Sequence, residues 1–280
     1  QDKWATGTQT ESLEQCLSLS APQDANTQIT TLIVWPETAL SDLNLRIPGH
    51  IEKIQEMLGT YQSPTYLATG YMRFNRTADG ENEYFNSLSI FDRNFSPLAT
   101  YDKAHLVPFG EYIPFQNIVP FGPIVNFEGF VPGDGPQNID INGLGTISPL
   151  ICYEVIFPGK ITAPDAPRPD MIINVTNDAW YGDSAGPHQH FAMAVFRAIE
   201  ESVPVIRAAN TGISGIISPT GHTVHHIDLM TTESRNLILP QKINTAPPYK
   251  HYGNTLHAFL CSLILIMSII LRFLRVKARP

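Results

Sequence analysis

Three side chains in this 280-residue sequence have the chemistry of an acyl-transfer site: Cys152, Glu37 and Lys103. Cys152 closes the run TISPLICYE, where a buried strand would emerge into a loop. In open α/β sheets the carboxyl ends of strands are where reacting groups collect. Glu37 follows the run TLIVW inside WPET, and Lys103 follows the strand-like residues 98–101. A thiol attacks an acyl carbonyl only as the thiolate, so it needs a base or a lowered pKa. A carboxylate screened from water, as Glu37 would be, has its pKa raised toward the range in which it accepts that proton. The resulting oxyanion needs a cation or donor, which Lys103 and a backbone N–H beside Cys152 can supply.

Each residue taken alone also has an ordinary reading. A cysteine after an apolar strand is more often an inert core residue. A lone acid there is commonly a helix cap or a surface charge, with Thr38 and Ser41 close by as capping types. Lys103 alone reads as a solvated lysine. Histidine is the commoner partner of a reactive cysteine, and His105, His188, His190, His222, His225 and His226 are all available. None has a spacing that marks a triad or a metal site, and H-E-x-x-H is missing, so neither a zinc site nor any cofactor is expected.

Elements that would position these groups recur between Gly- and Pro-rich loops. Residues 31–35, 65–71, 87–91, 146–151, 171–176, 205–209, 215–218 and 236–239 read as strands. Residues 51–58 and 188–202 have helical spacing, the latter through Phe191, Val195 and Ile199. Strands mixed with helices argue for a layered α/β domain. Residues 108–135 fit no regular element, with prolines at 108, 114, 120, 123 and 132 and six aromatics (Phe109, Tyr112, Phe115, Phe121, Phe127, Phe130). A loop this long and aromatic reads as packed and functional, either receiving an acyl chain or packing on the domain's own core.

The chain carries 26 acidic and 18 basic residues, a formal charge of -8 that offers no basic surface for nucleic acid. Residues 256–271 contain no charge apart from His257, and the stretch extends to 274, which is roughly the ~20 residues a spanning helix requires. Arg272, Arg275, Lys277 and Arg279 follow as a stop-transfer cluster, which places the C-terminus in the cytoplasm and the preceding residues outside. The competing reading is a buried core helix. The expected organisation is a catalytic domain over 1–250, a transmembrane helix over 255–274 and a basic tail over 275–280. Three cysteines (Cys16, Cys152, Cys261) leave one disulfide open to the outer domain, Cys16 to Cys152, or a thiol kept free for chemistry. A start at Gln1 suggests excision from a longer protein.

The segments WPETAL, YDKAHLVPFGEYIPF, ICYEVIFP and NVTNDAWYG stand in the order of the carbon–nitrogen hydrolase (nitrilase) superfamily. Within it the chain most resembles the apolipoprotein N-acyltransferase branch, through PFGEYIPF, CYE and the C-terminal span. The resemblance implies a four-layer α-β-β-α sandwich followed by a transmembrane helix. It implies Glu37 as base, Lys103 as oxyanion stabiliser and Cys152 as nucleophile, and it marks Trp4, Glu111, Tyr153 and Glu154 as further functional positions. Glu111 would orient the lysine or assist proton transfer, or simply brace a loop; Glu154 would position Cys152 or touch substrate; Tyr153 would offer its N–H to the oxyanion. Asn177, Asp178, Trp180 and Asn210 are expected to shape the pocket. The implied activity moves an acyl chain from a phospholipid, through a Cys thioester, to the amine of a diacylglyceryl-cysteine on a lipoprotein. The implied setting is a monomer in the bacterial inner membrane with its domain in the periplasm. A nitrilase-type amidase or carbamoylase, and an inactive lipid- or lipoprotein-binding relative, are the alternatives. The branch has transmembrane helices before this domain, and the sandwich's first strand is expected upstream of Gln1.

Overall fold

Two sheets packed face to face give the apolar runs somewhere to bury both of their faces. The computed structural model describes residues 6–22, 29–112, 114, 129–164 and 166–277. In the first sheet β1 (Thr31–Ser41) pairs parallel with β2 (Thr65–Arg76), which continues antiparallel to β3 (Asn82–Phe91) and β4 (Pro97–Asp102). The second contains β5 (Ile139–Ile141), β6 (Gly145–Ile151), β7 (Met171–Asn177), β8 (Val205–Asn210), β9 (Ser214–Ile217) and β10 (Thr223–Ile227), in the order β10-β9-β8-β7-β6-β5. Its centre, β6-β7-β8, is parallel, so the carboxyl ends of these strands share one edge.

Between the sheets lies a core of Ala68, Leu88, Ile90 and Tyr101 from the first and Ile147, Ile151, Ile173 and Val175 from the second. Helices α1 (Thr6–Leu19) and α3 (His50–Gly59) cover the outer face of the first sheet, burying Leu13, Ile54 and Leu58 against Trp35, Leu40 and Leu67. The short α2 (Asp42–Leu45) begins at Ser41, whose hydroxyl accepts from Asn44 N–H, so the cap after WPET is Ser41 and not Glu37. Helix α4 (Ala185–Glu201) lays Ala194 and Ala198 against Leu150, Ile172 and Val205 on the far side of the second sheet. The layers are therefore α-β-β-α.

One expectation changes, and one helix was not foreseen. Residues 236–239 form no strand: they join neither sheet, and although Leu239 packs against the inter-sheet core, Ile238 is exposed. Helix α1 gave no clear periodic signal, because its buried side is little more than Leu13, Cys16 and Leu17. The segment after β10 is strapped down by Arg168, whose guanidinium donates to the carbonyls of Ile243 (2.8 Å), Asn244 (2.7 Å) and Glu201 (3.0 Å). It leads through α5 (Pro248–Tyr252) into α6 (Thr255–Lys277). Over Thr255–Arg272 helix α6 has a mean hydropathy of 2.0 and none of its residues is buried among the described residues; it is long and apolar enough to cross a membrane.

Strand β1 breaks register where chemistry was expected. Trp35 pairs with Thr69 and Leu40 with Tyr71, so residues 36–39 bulge over Gly70 alone, with Thr38 at φ 52°. A Cβ on Gly70 would lie 2.4 Å from both Glu37 Cα and Pro36 O. Backbone must then move, and overpacking of this kind costs about 1–3 kcal/mol. Gly70→Ala is expected to lower the thermal midpoint by a few degrees and to reduce activity far more than that loss explains; an unchanged midpoint and rate would show that the bulge tolerates the methyl group.

Candidate active site

Lys103 sits just past β4 with 1% of its surface exposed. Its ammonium donates to Glu111 Oε1 at 2.8 Å and lies 3.5 Å from Glu37 Oε1. Asn86, buried in β3, ties the carboxylates together, its Nδ2 donating to Glu37 Oε1 at 2.7 Å and to Glu111 Oε1 at 3.0 Å. Burial alone would push the lysine pKa down. Glu37, Cys152 and Glu111 outweigh it and hold the pKa above the ordinary lysine range, so the ammonium stays charged. The other oxygen of Glu111, Oε2, accepts from Val107 N–H at 2.8 Å and so braces the loop that carries it.

Cys152 opens a 3₁₀ turn, Cys152–Ile156, at the end of β6, with φ at 49°. That left-handed backbone turns the side chain off the strand and into the cavity. Burial raises the thiol pKa and Glu37 raises it further; Lys103 and the neighbouring Thr176 and Asn177 oppose them, and the net result is a thiol pushed up to about 12. At neutral pH it is protonated, so attack requires a base within reach, and Glu37 is the carboxylate whose field the thiol feels most. Cys16 and Cys152 form no disulfide.

Glu154 does not contact the cavity. It is 2% exposed, and its Oε1 accepts from Tyr101 Oη (2.7 Å), Ala104 N–H (2.8 Å) and His105 N–H (3.2 Å), while Oε2 accepts from Ile151 N–H (2.8 Å). These bonds tie the end of β6 to the segment just past β4. Tyr153 lines the cavity and sets its ring edge-on to Phe157. Asn177 and Asn210 line it too, joined by an Asn210 Nδ2 to Asn177 Oδ1 bond of 3.2 Å. Trp180 is 81% exposed at the same cavity, as is Phe109 at 82%. Asp178 departs from expectation: it is buried behind Cys152, bonded to His190 and Arg207, and does not line the cavity. Trp4, Phe115, Phe121 and Phe127 lie outside the described residues.

The cavity that brings Glu37, Lys103, Glu111, Cys152 and Trp180 together has a volume of about 2500 Å³, well above the ~300–1,000 Å³ typical of drug-sized ligand sites. Much of its wall is apolar, including Leu32, Val34, Ile206 and Ile216. Sequence reasoning missed Asn86, which carried no motif. It noted His190 only as one of several histidines without a diagnostic spacing.

Residues 4–234 match the sequence model of the Carbon-nitrogen hydrolase family. The chain is 36% identical over 279 residues to an apolipoprotein N-acyltransferase of Bradyrhizobium diazoefficiens, covering 95% of this chain and 51% of the relative. It is 37% identical over 247 residues to the enzyme of that name from Rickettsia prowazekii, covering 87% and 48%. The chain thus spans about half the length of the curated relatives it matches. A carbon-nitrogen hydrolase from Helicobacter pylori shares the fold with a TM-score of 0.56 at 17% identity, covering 81% of this chain and 82% of that one. A CN-hydrolase superfamily protein from Xanthomonas campestris does so with 0.54 at 18%, covering 85% of each.

The raised thiol pKa has a signature in alkylation, because only the thiolate reacts with iodoacetamide. Well below a pKa of about 12 the thiolate fraction grows about tenfold per pH unit, so the alkylation rate of Cys152 should climb steadily from pH 7 to 9.5. Glu37→Gln removes the negative charge that raises the thiol and should speed alkylation at each pH. Peptide mass spectrometry reads both rates; a plateau by pH 8 would mean a thiol already ionised near neutrality.

Proposed function

The chain belongs to the carbon–nitrogen hydrolase family, and we propose that it carries the catalytic site of an apolipoprotein N-acyltransferase. The observation that carries this reading is a Cys152 thiol beside the buried Glu37–Lys103–Glu111 cluster, in a cavity large and apolar enough to take an acyl chain. The names of the relatives support the same reading, and so does the unburied apolar helix α6.

In the first step Glu37 takes the thiol proton as the sulfur attacks the sn-1 ester carbonyl of a phospholipid. The carbonyl oxygen becomes an oxyanion, met by Lys103 Nζ and by the backbone N–H of Tyr153. Collapse expels the glycerol oxygen, Glu37 returns the proton to it, and a lysophospholipid leaves a thioester on Cys152. In the second step the α-amino group of a diacylglyceryl-cysteine attacks the thioester and gives a proton to Glu37. The C–S bond breaks, an amide forms, and the thiol is restored. Both substrates carry long chains, which the apolar wall receives, and exclusion of water favours the amine over hydrolysis. Helix α6 spans the bacterial inner membrane in this reading, with the basic cluster from Arg272 onward in the cytoplasm and the domain on the periplasmic side.

The full-length enzyme incubated with phosphatidylethanolamine should acquire a hydroxylamine-labile acyl adduct on Cys152, absent from Cys152→Ala. Glu37→Gln should slow its formation by about 10²–10⁴-fold, the worth of a general base. An adduct that persists in Cys152→Ala ends the nucleophile assignment. Turnover of short amides without any lipid adduct would point to an amidase instead.

A further inference from the structure

Behind Cys152 lies a buried polar chain that none of these steps uses. His190, 3% exposed on α4, places Nε2 at 3.1 Å from the carbonyl oxygen of Cys152. Its Nδ1 lies 2.7 Å from Asp178 Oδ1 and 3.1 Å from Arg207 Nη2. Asp178 also accepts from Arg207 Nη2 at 2.8 Å and from the Thr176 hydroxyl at 3.2 Å. Arg207 is wholly buried on β8 and donates to the carbonyl of Ile213 at 3.1 Å and to Asn174 Oδ1. Gly212 closes the far side, since a Cβ there would lie 2.2 Å from Asp178 Oδ2. Every member of the chain is held from several directions.

We propose that His190, clamped by Asp178 and Arg207, is a positioning residue that fixes the Cys152–Tyr153 peptide so that the Tyr153 N–H meets the oxyanion. A carbonyl oxygen only accepts hydrogen bonds, so Nε2 must carry the proton that faces it. The other ring nitrogen agrees with this: with both nitrogens donating, Nδ1–H meets Asp178 Oδ1 at 2.7 Å while Nε2–H faces Cys152 O. That carbonyl belongs to the same peptide unit as the Tyr153 N–H. A donor on the oxygen polarises the unit and makes its N–H a stronger donor, as in any hydrogen-bonded chain. It also pins a peptide whose preceding residue stands at φ 49°, a conformation the backbone does not hold unaided.

The inference rests on Cys152 as the acyl nucleophile, and two reactions of the full-length enzyme separate the ideas. Alkylation by iodoacetamide needs the thiolate but forms no oxyanion. Acylation by 4-nitrophenyl butyrate, read as a nitrophenolate burst, needs both. His190→Phe keeps a ring and removes the donor. It should leave alkylation within about twofold and slow acylation by about tenfold or more, a fraction of the ~10²–10³ that a whole oxyanion donor is worth. His190→Gln, whose amide can still reach the carbonyl, should recover a large part of the burst rate. If His190→Phe fails to accumulate, Asp178→Asn carries the same comparison, with acylation again the slower of the two. Parallel loss of both reactions would mean that the nucleophile itself has moved, and no loss in either would mean that the chain is inert; both outcomes overturn the proposal. Absence of any butyryl adduct on Cys152 in the unsubstituted enzyme rejects the acyl-enzyme reading and the role of His190 with it.

Discussion

A lysine ammonium with 1% of its surface exposed is tolerable only where opposite charge meets it, and the site is organised around that demand. Two carboxylates answer it, Glu37 from the β1 bulge and Glu111 from the loop beyond β4, with the Asn86 amide donating to both. One carboxylate would have closed a neutral pair. Two leave a surplus negative charge beside Cys152, which helps to keep its sulfur protonated at rest. Lys103 is thus held by Glu111 at 2.8 Å, with Glu37 at 3.5 Å on the same ammonium.

This cluster requires groups from both sheets to meet, and regular strands cannot aim them. Side chains on a strand alternate between its two faces; Glu37 and Cys152 leave that alternation through left-handed backbone at Thr38 and at Cys152 itself. Gly70 makes room for the first departure. The second is bracketed by Glu154, which joins the end of β6, through Ile151 N–H, to the end of β4, through Tyr101 Oη and the N–H groups of Ala104 and His105. A single buried carboxylate therefore fixes where Cys152 stands relative to Lys103. Its pKa is raised because desolvation outweighs its four donors.

What was legible in the sequence is what depends on local periodicity. The runs around Ile33, Leu67, Leu150 and Ile173 announce strands because they are β-branched and bounded by turn residues, and α4 because Phe191, Val195 and Ile199 recur at helical spacing. The run at 236–239 has the same appearance and forms no strand, since pairing depends on a neighbour that composition does not reveal. Asn86 and Arg207 sit inside strands and look like interruptions of them; only the fold brings them to Glu37 and Asp178. Asp178 looked like a rim residue because it follows a strand, yet the 3₁₀ turn capped by Asn177 turns it inward. Glu111 was visible as an acid eight residues past Lys103, and its double duty only in three dimensions.

The raised thiol pKa also bears on which nucleophile a thioester at this site would accept. A thiolate leaves more readily the lower its conjugate pKa, and the environment of Cys152 works against ionisation through burial and Glu37. On the acyl-transfer reading, that makes the thioester slow to yield to a weak nucleophile such as water. Lys103 can lower the cost of the departing charge, but its help is greatest when Glu37 has been neutralised, because the two carboxylates otherwise claim the ammonium. On that reading an attacking amine, a stronger nucleophile than water, would neutralise Glu37 by delivering its proton there and free Lys103 toward the sulfur in the same step. The surplus carboxylate that keeps the resting thiol protonated would then also keep the acyl-enzyme waiting for an amine, and one electrostatic arrangement would serve both halves of the transfer.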